Sequence, residues 1–186
     1  HSLRAPMIVA GAGLPEGMRL TALTYLHDLY PTILGLAGIS VEEPLHGQDL
    51  RPLWAGEVAE VRDSLYLSMG KTQRAVTDGR FKLCVYPRDA HRQLFDLAAD
   101  PDELIDLAGR PAFRHHVRRL ERELEVWRAV VGDTDPLTTD EPKPLHVDLT
   151  DATRKPDRWQ PEWIREKYFD PPADEDQEAG EPDERR

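Results

Sequence analysis

The 186-residue sequence predicts an α/β chain in which the end of an α/β layer leads into a small antiparallel β-sheet subdomain packed on a C-terminal helix. Strand and helix signals alternate over residues 6 to 38, four short strand-like segments follow one another between residues 64 and 97, and one long helix with an apolar stripe comes after them.

His1-Ser2-Leu3-Arg4-Ala5-Pro6 runs straight into an apolar strand, Met7 to Ala10, with no methionine or leader ahead of it, so the expectation is a chain that opens in mid-motif and has lost what came before. Gly11-Ala12-Gly13 and Pro15-Glu16-Gly17 break the strand, because glycine reaches positive φ and proline presets a turn. Leu23 to His27 can be extended. Asp28 is a suitable N-cap, Pro31 falls in the first helical turn where its missing N–H costs no bond, Leu29, Ile33, Leu36 and Ala37 give the helix an apolar side, and Gly38 ends it. A longer helix from Thr21 kinked at Pro31 is the weaker alternative.

The sheet is expected from Ser64 to Met69, Gln73 to Thr77, Arg80 to Tyr86 and Arg92 to Leu97, with Asp78-Gly79 as a two-residue hairpin connection tolerating positive φ at both positions. Asp100-Pro101-Asp102-Glu103 then reads as the start of a helical turn running to Leu107, with acids at its positive end. Phe113, Val117, Leu120, Leu124, Trp127 and Val131 recur at alternating spacings of four and three, one stripe along about five turns of helix. Such a stripe needs a sheet to cover. Arg114, Arg118, Arg119, Glu121, Arg122 and Glu125 fall between, and read as a solvated face in preference to a binding patch.

The net charge of −11 belongs to the C-terminal end, since residues 133 to 186 hold 17 of the 35 acids and 8 of the 24 bases. The rest is nearly neutral, which gives no footprint for nucleic acid. No stretch approaches the ~18 to 20 apolar residues of a membrane span. Eight of the sixteen prolines lie beyond Gly132, and a mostly extended or disordered acidic tail is expected there. The segment Trp159 to Phe169, with four aromatics, reads as one that docks, by preference on its own parent domain.

Chemistry-bearing residues do not assemble into a self-contained active site. Cys84 alternates within Phe81 to Tyr86 and reads as a small buried hydrophobe, because a strand interior supplies neither the helix N-terminus nor the cations that activate a thiol. His115 and His116 are adjacent on a helix, diverge by ~100° and are expected to face solvent. Asp96, Asp100 and Asp102 lack the glycine and the spaced oxygens of a calcium loop.

Several stretches, in order, resemble the last third of a sulfatase of the alkaline-phosphatase superfamily, of the arylsulfatase, choline-sulfatase or heparan-type kind. His1 to Val9 resembles Tyr-Glu-His-Ser-x-Arg-Val-Pro-Leu-Ile. Asp28 through Gly38 resembles an Asp-x-x-Pro-Thr helix ending in Ala-Gly, and Gly47 to Leu53 resembles Gly-x-Ser-Leu-x-Pro-Leu, with Asp49 at the serine position. Arg74 to Leu83 and Gln93 to Leu104 resemble the family's C-terminal sheet signature. The resemblance covers residues 1 to about 130 and implies three parts: 1–60 as truncated C-terminal elements of an alkaline-phosphatase-like α/β catalytic domain, 61–132 as the antiparallel sheet plus helix, and 133–186 as the acidic tail.

It implies a parent that hydrolyses sulfuric esters with a formylglycine nucleophile and a calcium ion, on a small-molecule or carbohydrate sulfate ester, with no nucleic-acid partner. Cys84 departs from the Cys-x-Pro-Ser-Arg nucleophile pattern, so the nucleophile and the metal ligands are expected upstream and this piece is expected to be inactive alone. His1 is the one candidate for touching substrate, and Arg4 is expected to brace the strand entry. A phosphoester or phosphonate hydrolase of the same superfamily, or a noncatalytic interaction piece, is the alternative. Exposed apolar surface is expected around Met7 to Val9 and Leu29 to Leu36.

Overall fold

Alternating residues with apolar members on both faces build the sheet that organises this chain. In a computed structural model, which describes residues 5–11, 13–40, 43–146, 148, 150 and 155–169, β1 (Leu65–Met69), β2 (Gln73–Thr77), β3 (Phe81–Tyr86) and β4 (His91–Asp96) form an antiparallel meander in chain order. Each strand lies within one residue of its expected bounds. The turn between β2 and β3 differs from expectation: Asp78 N–H donates to Phe81 O at 3.2 Å, leaving Gly79 and Arg80 as the central pair, and of the two only Gly79 has positive φ, 88°. That is the pattern of a type II′ turn, with glycine at the first central position. The Asp78 carboxylate accepts the Arg80 and Phe81 N–H groups at 2.9 and 2.6 Å, which fixes the turn.

Register places Tyr66, Val76 and Leu83 on one face of the sheet and Leu67, Ala75 and Cys84 on the other. The first face meets α3 (Arg114–Val131), entered through a 3-10 turn at Pro111–Phe113. Leu120 and Leu124 are fully buried against Val76, Leu83, Val85 and Leu94, with Phe113, Val117 and Trp127 flanking them. Burial of this kind stabilises by about 1.5–3 kcal/mol per large apolar side chain. The stripe stops one step early, because Val131 is half exposed in the last turn before Gly132, whose φ of 70° ends the helix. On the other face Ala75, Cys84 and Phe95 form a second, thinner cluster.

Ahead of the sheet lie α1 (Leu29–Leu36) and the single turn α2 (Arg51–Trp54). Pro31 is in the first turn of α1 and Gly38, at φ 70°, closes it, as expected. Three expectations fail. Met7 to Ala10 are exposed and not a strand, since no strand among the described residues is there to complete a ladder with them. Leu26–Asp28 form a 3-10 turn, not the end of an extended run. Asp28 stands at the N-terminus of α1 but caps nothing in it; its carboxylate turns back to the Tyr25 N–H at 2.6 Å.

A fourth failure concerns residues 100–107, which are turns and not helix: Glu103 sits at φ 59°, which interrupts any helical run, while Asp100 takes the Ile105 N–H and Asp106 the Leu94 and Ala108 N–H groups. The chain divides into two units, His1–Lys143 and Pro144–Arg186. In the second, α4 (Glu162–Tyr168) follows a turn in which Asp157 accepts the Trp159 N–H at 2.9 Å; Trp159, Trp163 and Tyr168 are exposed. No helix among the described residues is long and apolar enough to cross a membrane.

Candidate functional site

Asp28 is the most deeply placed acid among the described residues, with no exposed surface, and every contact of its carboxylate ties a different part of the chain to it. Arg62 donates from Nη1 to Oδ2 at 2.6 Å and from Nη2 to Oδ1 at 2.7 Å, a bidentate fork, while the Gln48 N–H donates to Oδ1 at 2.8 Å. Burial would raise this carboxyl's pKa, but the fork and the two backbone donors outweigh it and hold the group below the usual carboxylate range. One turn on, the Thr32 hydroxyl donates to the Asp28 carbonyl at 2.6 Å and accepts the Leu50 N–H at 2.9 Å. The Asp-x-x-Pro-Thr helix and the Gly47 to Leu53 loop are therefore one latch. Gly47 belongs to it, since a Cβ there would lie 2.6 Å from the His27 carbonyl oxygen.

Tyr25 carries the latch to the sheet. Its hydroxyl donates to the Tyr66 carbonyl at 2.9 Å and accepts the Tyr66 N–H at 2.6 Å, so the free edge of β1 is satisfied by a side chain. Arg62 lies over the Tyr25 ring at 4.8 Å, and the ring meets Trp127 of α3 edge-on at 6.3 Å. Trp127 in turn donates to Ser64 Oγ at 2.7 Å, and Ser64 to Glu123 at 2.6 Å.

A second buried network anchors the chain beyond α3. Arg74, nearly buried on β2, donates from Nε to Asp133 Oδ2 at 2.6 Å and from Nη2 to Asp135 Oδ2 at 3.1 Å, and the Tyr66 hydroxyl donates to the same Asp133 oxygen at 2.6 Å. The Arg74 bond pulls the Asp133 carboxyl far below its ordinary pKa; burial and the Asp133 bond push the Tyr66 phenol up to about 12.

An open groove of about 610 Å³ lies between residues 5–24 and the second face of the sheet, where Leu65, Leu67, Thr77 and Lys82 line one wall and Met7, Leu14 and Met18 the other. Lys82 is ion-paired with Glu103 at its rim. Cys84 is not among the groove's lining residues: it is buried between Ala75 and Phe95, as expected, and burial raises its pKa, so the thiol stays protonated.

His1 and Arg4, the expected substrate contact and strand brace, lie outside the described residues. Of the two helix histidines expected in solvent, His115 is exposed but His116 is half-buried, stacked on Phe81 with ring centroids 3.8 Å apart. Desolvation, then the neighbouring His115 and Arg119, lower its pKa. Asp96 and Asp100 spend their oxygens on the Arg80 guanidinium and on backbone N–H groups. Among the described residues no three His, Cys, Asp or Glu side chains converge as a metal needs; the buried acids face arginines, so this donor set does not fit a calcium ion.

Sequence reasoning singled out Asp28 and Thr32 through their motif but missed Arg62, Tyr25 and the Arg74–Asp133 pair. A lone arginine 34 residues from its carboxylate leaves no local pattern.

Comparison with known proteins places these features. Residues 1–130 match the family model described as N-sulphoglucosamine sulphohydrolase, C-terminal. The chain is 36% identical over 151 residues to a choline-sulfatase of Rhizobium meliloti, covering 72% of this chain and 28% of that protein. A solved 2-O GAG sulfatase is 25% identical with TM-score 0.51, covering 57% of this chain and 25% of the other. A phosphonate monoester hydrolase from Silicibacter pomeroyi is 24% identical with TM-score 0.57 over 68% of this chain and 28% of that one. The chain thus spans about a quarter of the length of the proteins it matches.

Proposed function

The chain belongs to the sulfatase family, to the part described by the C-terminal region of N-sulphoglucosamine sulphohydrolase, and from that premise we propose that it is the bracing end of a sulfuric-ester hydrolase whose reacting groups lie outside these 186 residues. In this reading residues 1–60 complete the catalytic α/β domain, 61–132 form the sheet and helix that back it, and 133–186 follow as an acidic tail. The observation that carries it is the Asp28 latch. Its buried acid spends each oxygen on holding Arg62, Tyr25 and the Gln48 loop in place, which is a positioning role and leaves no lone pair aimed at a reactant.

The chemistry proposed for the longer protein is attack of a formylglycine hydrate on the sulfur of a sulfate ester, with calcium supplying charge stabilisation to the sulfate oxygens. None of this chain's described residues is assigned a step in it. The substrate class proposed is a sulfated carbohydrate, supported by the family model and by the glycosaminoglycan sulfatase among the solved relatives. His1 stands as the proposed contact from this segment. The likeness to a phosphonate monoester hydrolase, which concerns the fold, keeps phosphonate and phosphate esters as the second reading.

Two experiments test the proposal. The 186-residue chain alone is expected to turn over neither an aryl sulfate nor an aryl phosphonate ester, and hydrolysis of either by the purified chain would overturn it. Sequencing the coding DNA upstream of the His1 codon is expected to show an in-frame Cys-x-Pro-Ser-Arg and an Asp-Asn metal pair. Threonine or serine at the nucleophile position would move the protein to phosphoester chemistry, and a start site just ahead of His1 would remove the enzymatic reading.

A further inference from the structure

Seven arginines among the described residues hold carboxylates: Arg51, Arg62, Arg74, Arg80, Arg92, Arg119 and Arg128. The approach to α3 and its first half gather several that do not. Arg110, Arg114, Arg118 and Arg122 are all exposed, and among the described residues none has an ion-pair partner. Arg114, Arg118 and Arg122 stand at intervals of four, winding from the flank of the helix to the side opposite the Leu120–Leu124 stripe, and form a row about 12 Å long. His115 is exposed beside them. The acids within reach are already engaged, Glu121 by Arg92 at 3.1 Å, Glu125 by Arg128 at 2.8 Å and Asp78 by Arg119.

This arrangement runs against what helix stability alone favours. Acids are preferred in the first turn, where the dipole is positive, yet the first turn of α3 has none and begins with Arg114. Like charges at i and i+4 destabilise a helix by a few tenths of a kcal/mol per pair, and the row contains two such pairs. The charge is local, because the whole chain is at −11.

We infer that the Arg110–Arg114–Arg118–Arg122 row is a docking surface for a sulfated polysaccharide, held apart from the reacting ester. Guanidinium forks match the oxygens of a sulfate group, and a row matches a chain that carries several. No aromatic side chain accompanies the arginines on the outward face of the helix, so the stacking platform that single-stranded nucleic acid uses is missing. The choice of a sulfated chain rests on the sulfated-carbohydrate reading given above, whereas the test measures binding and needs no turnover.

The test is titration of the 186-residue chain with a heparin oligosaccharide, with the same oligosaccharide fully desulfated, and with an oligothymidylate of matched charge. Saturable, salt-sensitive binding to heparin is expected, with neither other probe competing at equal concentration. The triple variant Arg114→Ala/Arg118→Ala/Arg122→Ala is expected to weaken it by roughly tenfold or more, since each site loses a sulfate contact, with a melting temperature no lower than that of the parent chain, since two like-charge pairs are removed. A control, Arg19→Ala/Arg88→Ala, removes exposed charge elsewhere and is expected to change it by less than about twofold. Absence of heparin binding, equal binding of oligothymidylate, or equal weakening by the control would each overturn the inference. The sulfatase reading stands or falls separately, on hydrolysis and on the upstream residues.

Discussion

Asp28 shows how one side chain can decide the shape of a segment. Its partners Tyr25, Gln48 and Arg62 come from three separate stretches, so removing the carboxylate leaves a buried guanidinium without its counter-charge, holding only the Leu23 carbonyl, and two backbone donors unpaired at once. Asp28→Ala is expected to destabilise the first unit by about 3–5 kcal/mol, read as a fall in the urea midpoint; a loss below about 1 kcal/mol would show that water replaces the fork. Its pH dependence has a definite sign. Asp28 and Asp133 both have carboxyl pKa values depressed in the folded chain, so their stabilisation is complete above the unfolded carboxylate value of about 3.9 and is lost as pH falls below it. The urea midpoint is expected to drop between pH 6 and pH 3, and to drop less in Asp28→Asn/Asp133→Asn; an equal drop in that variant would place the acid sensitivity elsewhere. Cys84 gives a third residue-scale expectation. Buried, with its thiol protonated, it should react with an aromatic disulfide reagent only on unfolding, and prompt reaction in buffer would contradict its place between Ala75 and Phe95.

At the scale of elements, the packing of α3 separates residues that the sequence pattern treats alike. Leu124→Ala is expected to cost about 2–5 kcal/mol because it opens a cavity against a rigid sheet, whereas Val131→Ala should fall within about 0.5 kcal/mol, as its side chain already meets water. Equal losses would mean that the last turn packs more closely than described. This contrast also shows what the residues disclose. The four strands and the helix were legible because each buries a face, and burial imposes a period on the sequence. Residues 100–107 were not, since the acids that look like a helix start instead bind N–H groups at positions 94, 105 and 108, and the preference for those bonds over a helical turn is a tertiary choice. Met7 to Ala10 read as a strand because a strand is defined by pattern in sequence but by a partner in space. The latch lay between these cases: Asp28 and Thr32 were visible through a motif, while Arg62 and Tyr25 became functional neighbours only once β1 had an edge to satisfy.

For the molecule as a whole, the distribution of apolar surface is more telling than its amount. The sheet and α3 cover one another, yet Met7, Val9, Met18, Leu20, Leu26, Tyr30, Ile33, Leu36 and Ile39, ahead of the sheet, are all exposed, as are single residues further on such as Met69, Leu104, Val126 and Val130. On α1 the buried residue is Thr32, while Ile33 and Leu36 are 59% and 50% exposed, the reverse of what an amphipathic helix in a finished core presents. Scattered apolar residues are ordinary on a protein surface, but a dense succession of them, as over residues 7–39, marks a place where something packs. The chain should therefore bind an environment-sensitive hydrophobic dye in its folded state, at temperatures well below its melting transition. Ile33→Ser/Leu36→Ser should reduce that signal while shifting stability by no more than about 0.5 kcal/mol per site, because side chains already in water contribute little to folding. A folded chain that leaves the dye dark would show that this surface is covered, by a second copy or by the chain itself, and sedimentation of the same sample would tell which.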